Sequence, residues 1–196
     1  YAVMYVADYG NSRVQKFKAN PCFLPNLASQ YDLKWSNPGQ PFKTKVGPNG
    51  NVYTATSVGT PISVRTANGA PVTTWGTAGT GDGQFRFARG LAVGTSQVFV
   101  ADGNNNRIQR FSLAGTYQTK WGISQNGDGE FAGPNDVAQD SAGNIYVADT
   151  NNSRIQKFNS SGRLLMKWGT EGSGDGQFNN PLGIGVDSTD TVWVAD

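Results

Sequence analysis

Short apolar runs separated by polar turns recur along the whole chain. Consecutive copies of the clearest run end 46 to 48 residues apart. An internal period of this length is typical of repeat folds, in which each repeat packs its faces against its neighbours. The copies are IYVAD at 145–149, MYVAD at 4–8, VYTAT at 52–56, VFVAD at 98–102 and VWVAD at 192–196.

Each repeat is predicted to contain four short strands joined by tight turns. The junctions DSAGN, DTNNS and NSSG are rich in Asp, Asn and Gly, which favour turns because they accept positive φ or bond their own backbone. Four antiparallel strands per repeat form the blade of a β-propeller, so the fold class is all-β. In the fourth repeat the predicted strands are Pro134–Gln139, Asn144–Ala148, Arg154–Phe158 and Leu164–Trp168.

The strand pattern predicts one partial propeller over residues 1–196, with a period of about 47 residues. The chain begins and ends on the second strand of a repeat, so it holds about four blades' worth of strands. The edges at both ends are expected to pair with missing blades or with another chain. Blades begin near Pro41, Ala88, Pro134 and Pro181.

Composition agrees with a folded all-β chain and bears on which classes of partner it could bind. Apolar residues make up 37% of the sequence, and 26 Gly and 9 Pro punctuate the strands. The net charge of +2, with both signs dispersed, gives no basic stripe and so disfavours nucleic acid. No apolar run reaches the length of a membrane span. The Asn-, Gly-, Ser- and Thr-rich composition favours an extracellular or cell-surface location, with the cytoplasm as the alternative.

Three segments resemble the NHL-repeat family of β-propellers. They are VADTNNSRIQKF at 147–158, MKWG at 166–169 and GSGDGQFNNPLGIGVD at 172–187. The resemblance implies a ring of about six blades, of which this chain supplies about four.

An Asp and an Arg five positions apart recur at the second-to-third loops. The spacing places a carboxylate at one strand end beside a guanidinium at the start of the next strand, within reach of a charge-assisted pair. Recurrence in three blades favours structural loop pairs over a ring of arginines that docks anions. The pairs are Asp8/Arg13, Asp102/Arg107 and Asp149/Arg154.

No metal or catalytic site is assigned from the sequence. Asp82, Asp128 and Asp175 lie in GDG segments, which are typical of tight turns and lack the ligand alternation of an EF-hand, so calcium is only the alternative interpretation. The chain contains no His, so it cannot assemble a Ser-His-Asp relay or a His zinc site. We therefore predict no cofactor and favour a non-enzymatic function.

Departures from the repeat supply the candidate binding residues. The first strand of blade two carries two lysines where the other blades have small residues, and a basic and aromatic segment precedes blade three. An insertion in blade one adds an apolar loop, which is a typical contact surface. The candidates are Lys43, Lys45, Arg86, Phe87, Arg89, Phe23 and Leu24.

The leading functional interpretation is a non-catalytic binding or scaffold module that engages a protein or a glycan through its loop face. One alternative is a propeller that binds single-stranded RNA, which needs arginines and aromatic side chains on one face. The other is a fragment of a lyase-like or lactonase-like propeller enzyme whose catalytic residues lie in missing blades.

Overall fold

The computed structural model describes residues 2–19, 31–36, 39–57 and 61–196, and the apolar runs form antiparallel sheets in it. Helical structure within these residues is limited to short 3-10 turns, and none is long and apolar enough to cross a bilayer. The 3-10 turns are Tyr9–Asn11, Gly103–Asn105 and Thr150–Asn152.

Within the described residues, five antiparallel sheets follow one another along the chain, and each is built from strands in sequence order. Sheet I has β1 (Ala2–Asp8), β2 (Arg13–Ala19) and β3 (Tyr31–Ser36). Sheet II has β4 (Pro41–Val46), β5 (Val52–Thr56), β6 (Ile62–Arg65) and β7 (Pro71–Trp75). A small parallel pair follows, with β8 (Thr77–Ala78) and β9 (Gln84–Phe85).

Sheets III and IV repeat the four-stranded pattern, and sheet V contributes two strands. Sheet III has β10 (Ala88–Val93), β11 (Gln97–Asp102), β12 (Arg107–Ser112) and β13 (Tyr117–Trp121). Sheet IV has β14 (Pro134–Gln139), β15 (Ile145–Asp149), β16 (Arg154–Phe158) and β17 (Leu164–Trp168). Sheet V has β18 (Gly183–Val186) and β19 (Val192–Ala195).

The first strands of sheets II to V lie side by side around a common axis. β4 contacts β10, β10 contacts β14, and β14 contacts β18. Close approach of β10 and β14 depends on Gly90, since a Cβ there would lie 2.5 Å from the Asp136 Cα. This arrangement of four-stranded antiparallel sheets confirms the predicted all-β propeller.

The core lies between neighbouring sheets. Val64 of sheet II and Phe111 of sheet III belong to one buried cluster, which holds the sheets together through apolar burial. The indole of Trp75 extends this contact, because it lies against the turn of sheet III at Gly115. Gly115 has a φ of 89°, and a Cβ there would come within 2.4 Å of the indole. Glycine at this turn therefore allows the two blades to pack.

The connections divide between two faces. Antiparallel strands reverse direction, so the second-to-third loops and the linkers between sheets lie on one face, which we call the loop face. The first-to-second and third-to-fourth turns lie on the other, the turn face. Contacts of Arg107 with the carbonyl oxygens of Thr80 and Gly81, both at 2.8 Å, show that loop and linker meet on the loop face.

Candidate functional site

Four side chains from a 3-10 turn, a linker and two first strands form a contiguous aromatic and cationic surface on the loop face. The Tyr9 and Phe42 rings pack edge to face with centroids 4.9 Å apart, and the Phe42 and Phe87 rings do so at 5.0 Å. The guanidinium carbon of Arg89 lies 5.1 Å from the Phe87 centroid, within cation–π range. Tyr9 and Phe42 are 44% and 39% exposed, so the surface is open to solvent. We call these four residues the platform.

The platform continues around the axis through equivalent positions at the start of each first strand. Arg89 Nη1 donates to Asn135 Oδ1 at 3.3 Å, and Asn135 Nδ2 donates to the Leu182 carbonyl oxygen at 2.6 Å. Gly103 makes room for the arginine, because a Cβ there would lie 2.8 Å from the Arg89 Cδ. The mouth of the axis thus has apolar groups at Phe42 and Leu182 and polar groups between them.

The remaining candidates of this segment lie beside or outside the platform. The Arg86 side chain is exposed, and its backbone N–H donates to Asp102 at 3.0 Å, which fixes the segment that carries Phe87. Phe23 and Leu24 lie outside the described residues.

Lys43 is committed to an ion pair inside the axis. Its Nζ lies 2.5 Å from Asp136 Oδ2, on a strand 93 residues away in sequence. The Asp136 carboxylate is 2% exposed and also accepts from the backbone N–H groups of Val137 and Ile184, at 2.9 and 3.1 Å. Lys43 therefore ties β4 to β14 across β10.

Lys45 lies at the opposite end of β4 and lines a cavity on the turn face. Burial, and then the positive charge of Lys43, lower the pKa of its amine. The two lysines therefore lie outside the platform, and the charges of Lys43 and Asp136 both act on Lys45.

The Asp–Arg pairs join the ends of their own loops, and those of sheets III and IV also hold the linkers between sheets. The Nε–Oδ2 distances are 2.6 Å for Asp8/Arg13, 2.8 Å for Asp102/Arg107 and 2.7 Å for Asp149/Arg154. In sheet IV, Arg154 also donates to the carbonyl oxygens of Asn126, Gly127 and Glu130, which belong to the preceding linker. Arg107 and Arg154 are buried, and their guanidinium groups bond within the fold, so they are not exposed on the surface.

A glutamine two positions after each arginine completes this network, although the sequence pattern did not single it out. Gln109 is fully buried; its amide donates to Asp102 and to the Gln84 carbonyl oxygen, while its oxygen accepts from Gly83 N–H. Gln156 repeats these contacts with Asp149, Glu130 and Gly129. The sequence did carry a signal for this role, because the glutamine stands at a fixed distance from the Asp and the Arg in each of these repeats.

Within the described residues, sheet II has neither the ion pair nor a linker of the kind that such a pair holds. Thr56 stands in place of the Asp, and its backbone N–H donates to the Pro61 carbonyl oxygen at 2.7 Å. The GDG linker is also absent before Pro41. Arg107 and Arg154 each bind the GDG linker that precedes their own sheet. Without such a linker before sheet II, an arginine at this position would have no linker to hold, so the missing pair and the missing linker are consistent with each other.

Two of the three GDG aspartates make exposed ion pairs with the fourth strand of the following sheet. Asp82 lies 2.5 Å from Lys120, and Asp128 pairs with Lys167. The hydrogen bond from each lysine lowers the pKa of its aspartate. In the part of the chain that the structure describes, no group of three or more Asp, Glu or Cys side chains is placed to hold a metal ion.

Comparison with known proteins assigns the repeat and the fold. Residues 131–158, which run from the linker through β16, match the model of the NHL repeat. This segment is therefore similar to an NHL repeat, and the sheets around it form the propeller fold. The sequence has no match among curated proteins.

Solved structures similar to this chain are also propellers. A catalytically inactive virginiamycin B lyase from Staphylococcus aureus with quinupristin has a TM-score of 0.72 at 14% identity, over 98% of this chain and 59% of that one. A protein of unknown function from Bacteroides caccae has 0.68 at 12%, over 98% and 64%. The WD40 domain of Doa1 has 0.68 at 12%, over 98% and 56%. This chain spans less than two thirds of each, and the likeness shows the fold.

Proposed function

We propose that this chain is a non-catalytic binding module whose platform engages a protein partner. The observation that carries the proposal is the solvent-open chain of Tyr9, Phe42 and Phe87 rings beside Arg89. Aromatic side chains and arginine are the groups that dominate the binding energy of protein interfaces. A propeller fold with an NHL repeat agrees with a binding or scaffold role in general terms.

The chemistry of the platform favours a peptide segment with an apolar side chain next to a carboxylate. Phe42 and Phe87 offer ring faces and edges, and the exposed Arg86 adds a second cation to the segment that carries Phe87 and Arg89. Aromatic rings and guanidinium groups also stack on nucleobases. However, Arg107 and Arg154 are held in buried ion pairs, which leaves few cations on this face to follow a phosphate backbone.

Alanine substitution of the platform is expected to weaken peptide binding. Linear peptides would be selected from a random display library against the purified chain, and their affinities measured by fluorescence polarisation. Phe42→Ala and Phe87→Ala should each raise Kd about tenfold or more, because aromatic anchors of interfaces typically contribute this much. Leu165→Ala removes an exposed apolar side chain of similar exposure, 42%, on β17 and should leave Kd unchanged.

The same variants decide between partner classes. A single-stranded RNA pool and a glycan array would be probed in parallel with the selected peptides. A protein partner at the platform would be contradicted if neither Phe substitution changed the Kd of the selected peptides. It would also be contradicted by a gel shift with RNA that weakens with salt and requires Phe87. Circular dichroism and thermal unfolding verify that each variant is folded.

A further inference from the structure

The turn face contains a cavity that the platform does not use. It has a volume of about 580 Å³ and lies at the axis, between the first-to-second turns of sheets II to V. This volume is typical of small-molecule sites. Its walls come from four segments, which are 45–48, 92–95, 138–143 and 186–190.

Asp140, Asp187 and Asp190 line the cavity but are satisfied within the protein. The Asp140 carboxylate accepts from Asn144 and Tyr146 and lies 3.4 Å from the Lys157 amine.

The other two carboxylates are held in the same way. Asp187 accepts from the Trp193 indole at 2.9 Å and from Thr189, and these bonds lower its pKa. Asp190 accepts from both the backbone N–H and the hydroxyl of Ser141, at 2.8 and 2.5 Å, which joins sheets IV and V.

Lys45 is the charged group of the cavity that has no such partner. Among the described residues, its amine makes no hydrogen bond or ion pair, although its side chain is half-buried. Asp136, whose negative charge acts on Lys45, already accepts from Lys43, Val137 and Ile184. A half-buried cation without a hydrogen-bonded counter-charge is costly, and a bound anion would relieve that cost.

We propose that this cavity binds a small hydroxylated carboxylate of the sugar-acid class, with its carboxylate paired to Lys45. Ser141, Gln139 and Thr95 line the same cavity with hydroxyl and amide groups. The carboxylates of Asp187 and Asp190 retain lone pairs that accept bonds from ligand hydroxyls. A ligand with one negative charge and several hydroxyls matches both features, and a simple monoanion matches only the first.

Protection of Lys45 from chemical labelling tests the ligand class. The chain would be trace-acetylated at mildly alkaline pH and constant ionic strength, and the modification of each lysine measured by peptide mass spectrometry. D-glucuronate should reduce labelling of Lys45 severalfold and saturably, acetate should do so only at higher concentration, and D-glucose should not. Lys120 and Lys167, which are exposed, serve as internal controls.

Three outcomes would overturn the proposal. They are unchanged labelling of Lys45 with glucuronate, equal protection by glucose, and a decrease that the control lysines share. A substitution provides a second measurement, since Lys45→Met should abolish the saturation-transfer NMR signal of glucuronate and Lys120→Met should keep it. Glucuronate binding that persists in Lys45→Met would also reject the site. The cavity lies on the face opposite the platform, so this result is independent of peptide binding.

Discussion

Replacing Asp149 with alanine is expected to lower the free energy of unfolding by about 3–5 kcal/mol, the range for breaking a buried ion pair on one side. The carboxylate is fully buried and accepts from Arg154, Gln156, Asn152 and the backbone N–H of Ala132. Alanine leaves all four donors without this acceptor, and the Arg154 charge remains buried. Equilibrium unfolding in urea, with the slope checked against the native chain, measures the loss.

Asp8 provides a matched control, because it occupies the same position of sheet I at the surface. Its carboxylate makes the same contacts with Arg13, Asn11 and Gln15, but the Asp8 and Arg13 side chains are 20% and 32% exposed. Water can replace those contacts, so Asp8→Ala should cost clearly less than Asp149→Ala. Asp149→Asn keeps one acceptor oxygen and should fall between them. Equal losses for Asp8→Ala and Asp149→Ala would show that burial does not set the strength of this network.

Much of the strand and loop arrangement could be predicted from the sequence, because residues needed in every repeat recur at the same spacing. The spacing of Asp102 and Arg107 recurs at Asp149 and Arg154, and strand ends bring such pairs together whatever lies elsewhere. The role of Gln109 could have been found in the same way. These interactions depend on chain-local geometry and one neighbouring linker.

Contacts between distant blades could not be predicted in this way. Lys43 could be placed near the axis, but its partner Asp136 belongs to a strand two sheets away. The platform combines Tyr9 of a second-to-third loop with Phe42 and Phe87 at sheet entrances, so periodic comparison does not group these residues. The sequence pattern compares equivalent positions of different repeats. It does not show which non-equivalent positions come together in the fold.

The axis itself is expected to be the other sensitive point, where Gly90→Ala should lower the free energy of unfolding by about 1–3 kcal/mol, as overpacking does. A Cβ at this position would lie 2.5 Å from Asp136 Cα, 2.8 Å from Val137 N and 2.9 Å from the Asn135 carbonyl oxygen. All three are backbone atoms, so no side-chain rotation can relieve the contact. The strands β10 and β14 must separate, which also disturbs the carboxylate that Lys43 binds.

Gly185 separates this steric effect from the general effect of replacing glycine by alanine. It lies on the first strand of sheet V, where a Cβ would meet no described heavy atom within 4 Å, and like Gly90 it has no positive φ. Gly185→Ala should therefore stay within about 0.5 kcal/mol of the native chain, with any gain coming from reduced freedom of the unfolded state. If urea unfolding gives the same small change for Gly90→Ala, the first strands do not pack as closely as the structure shows. A loss confined to Gly90→Ala would instead establish that the spacing of the blades at the axis depends on one missing methyl group.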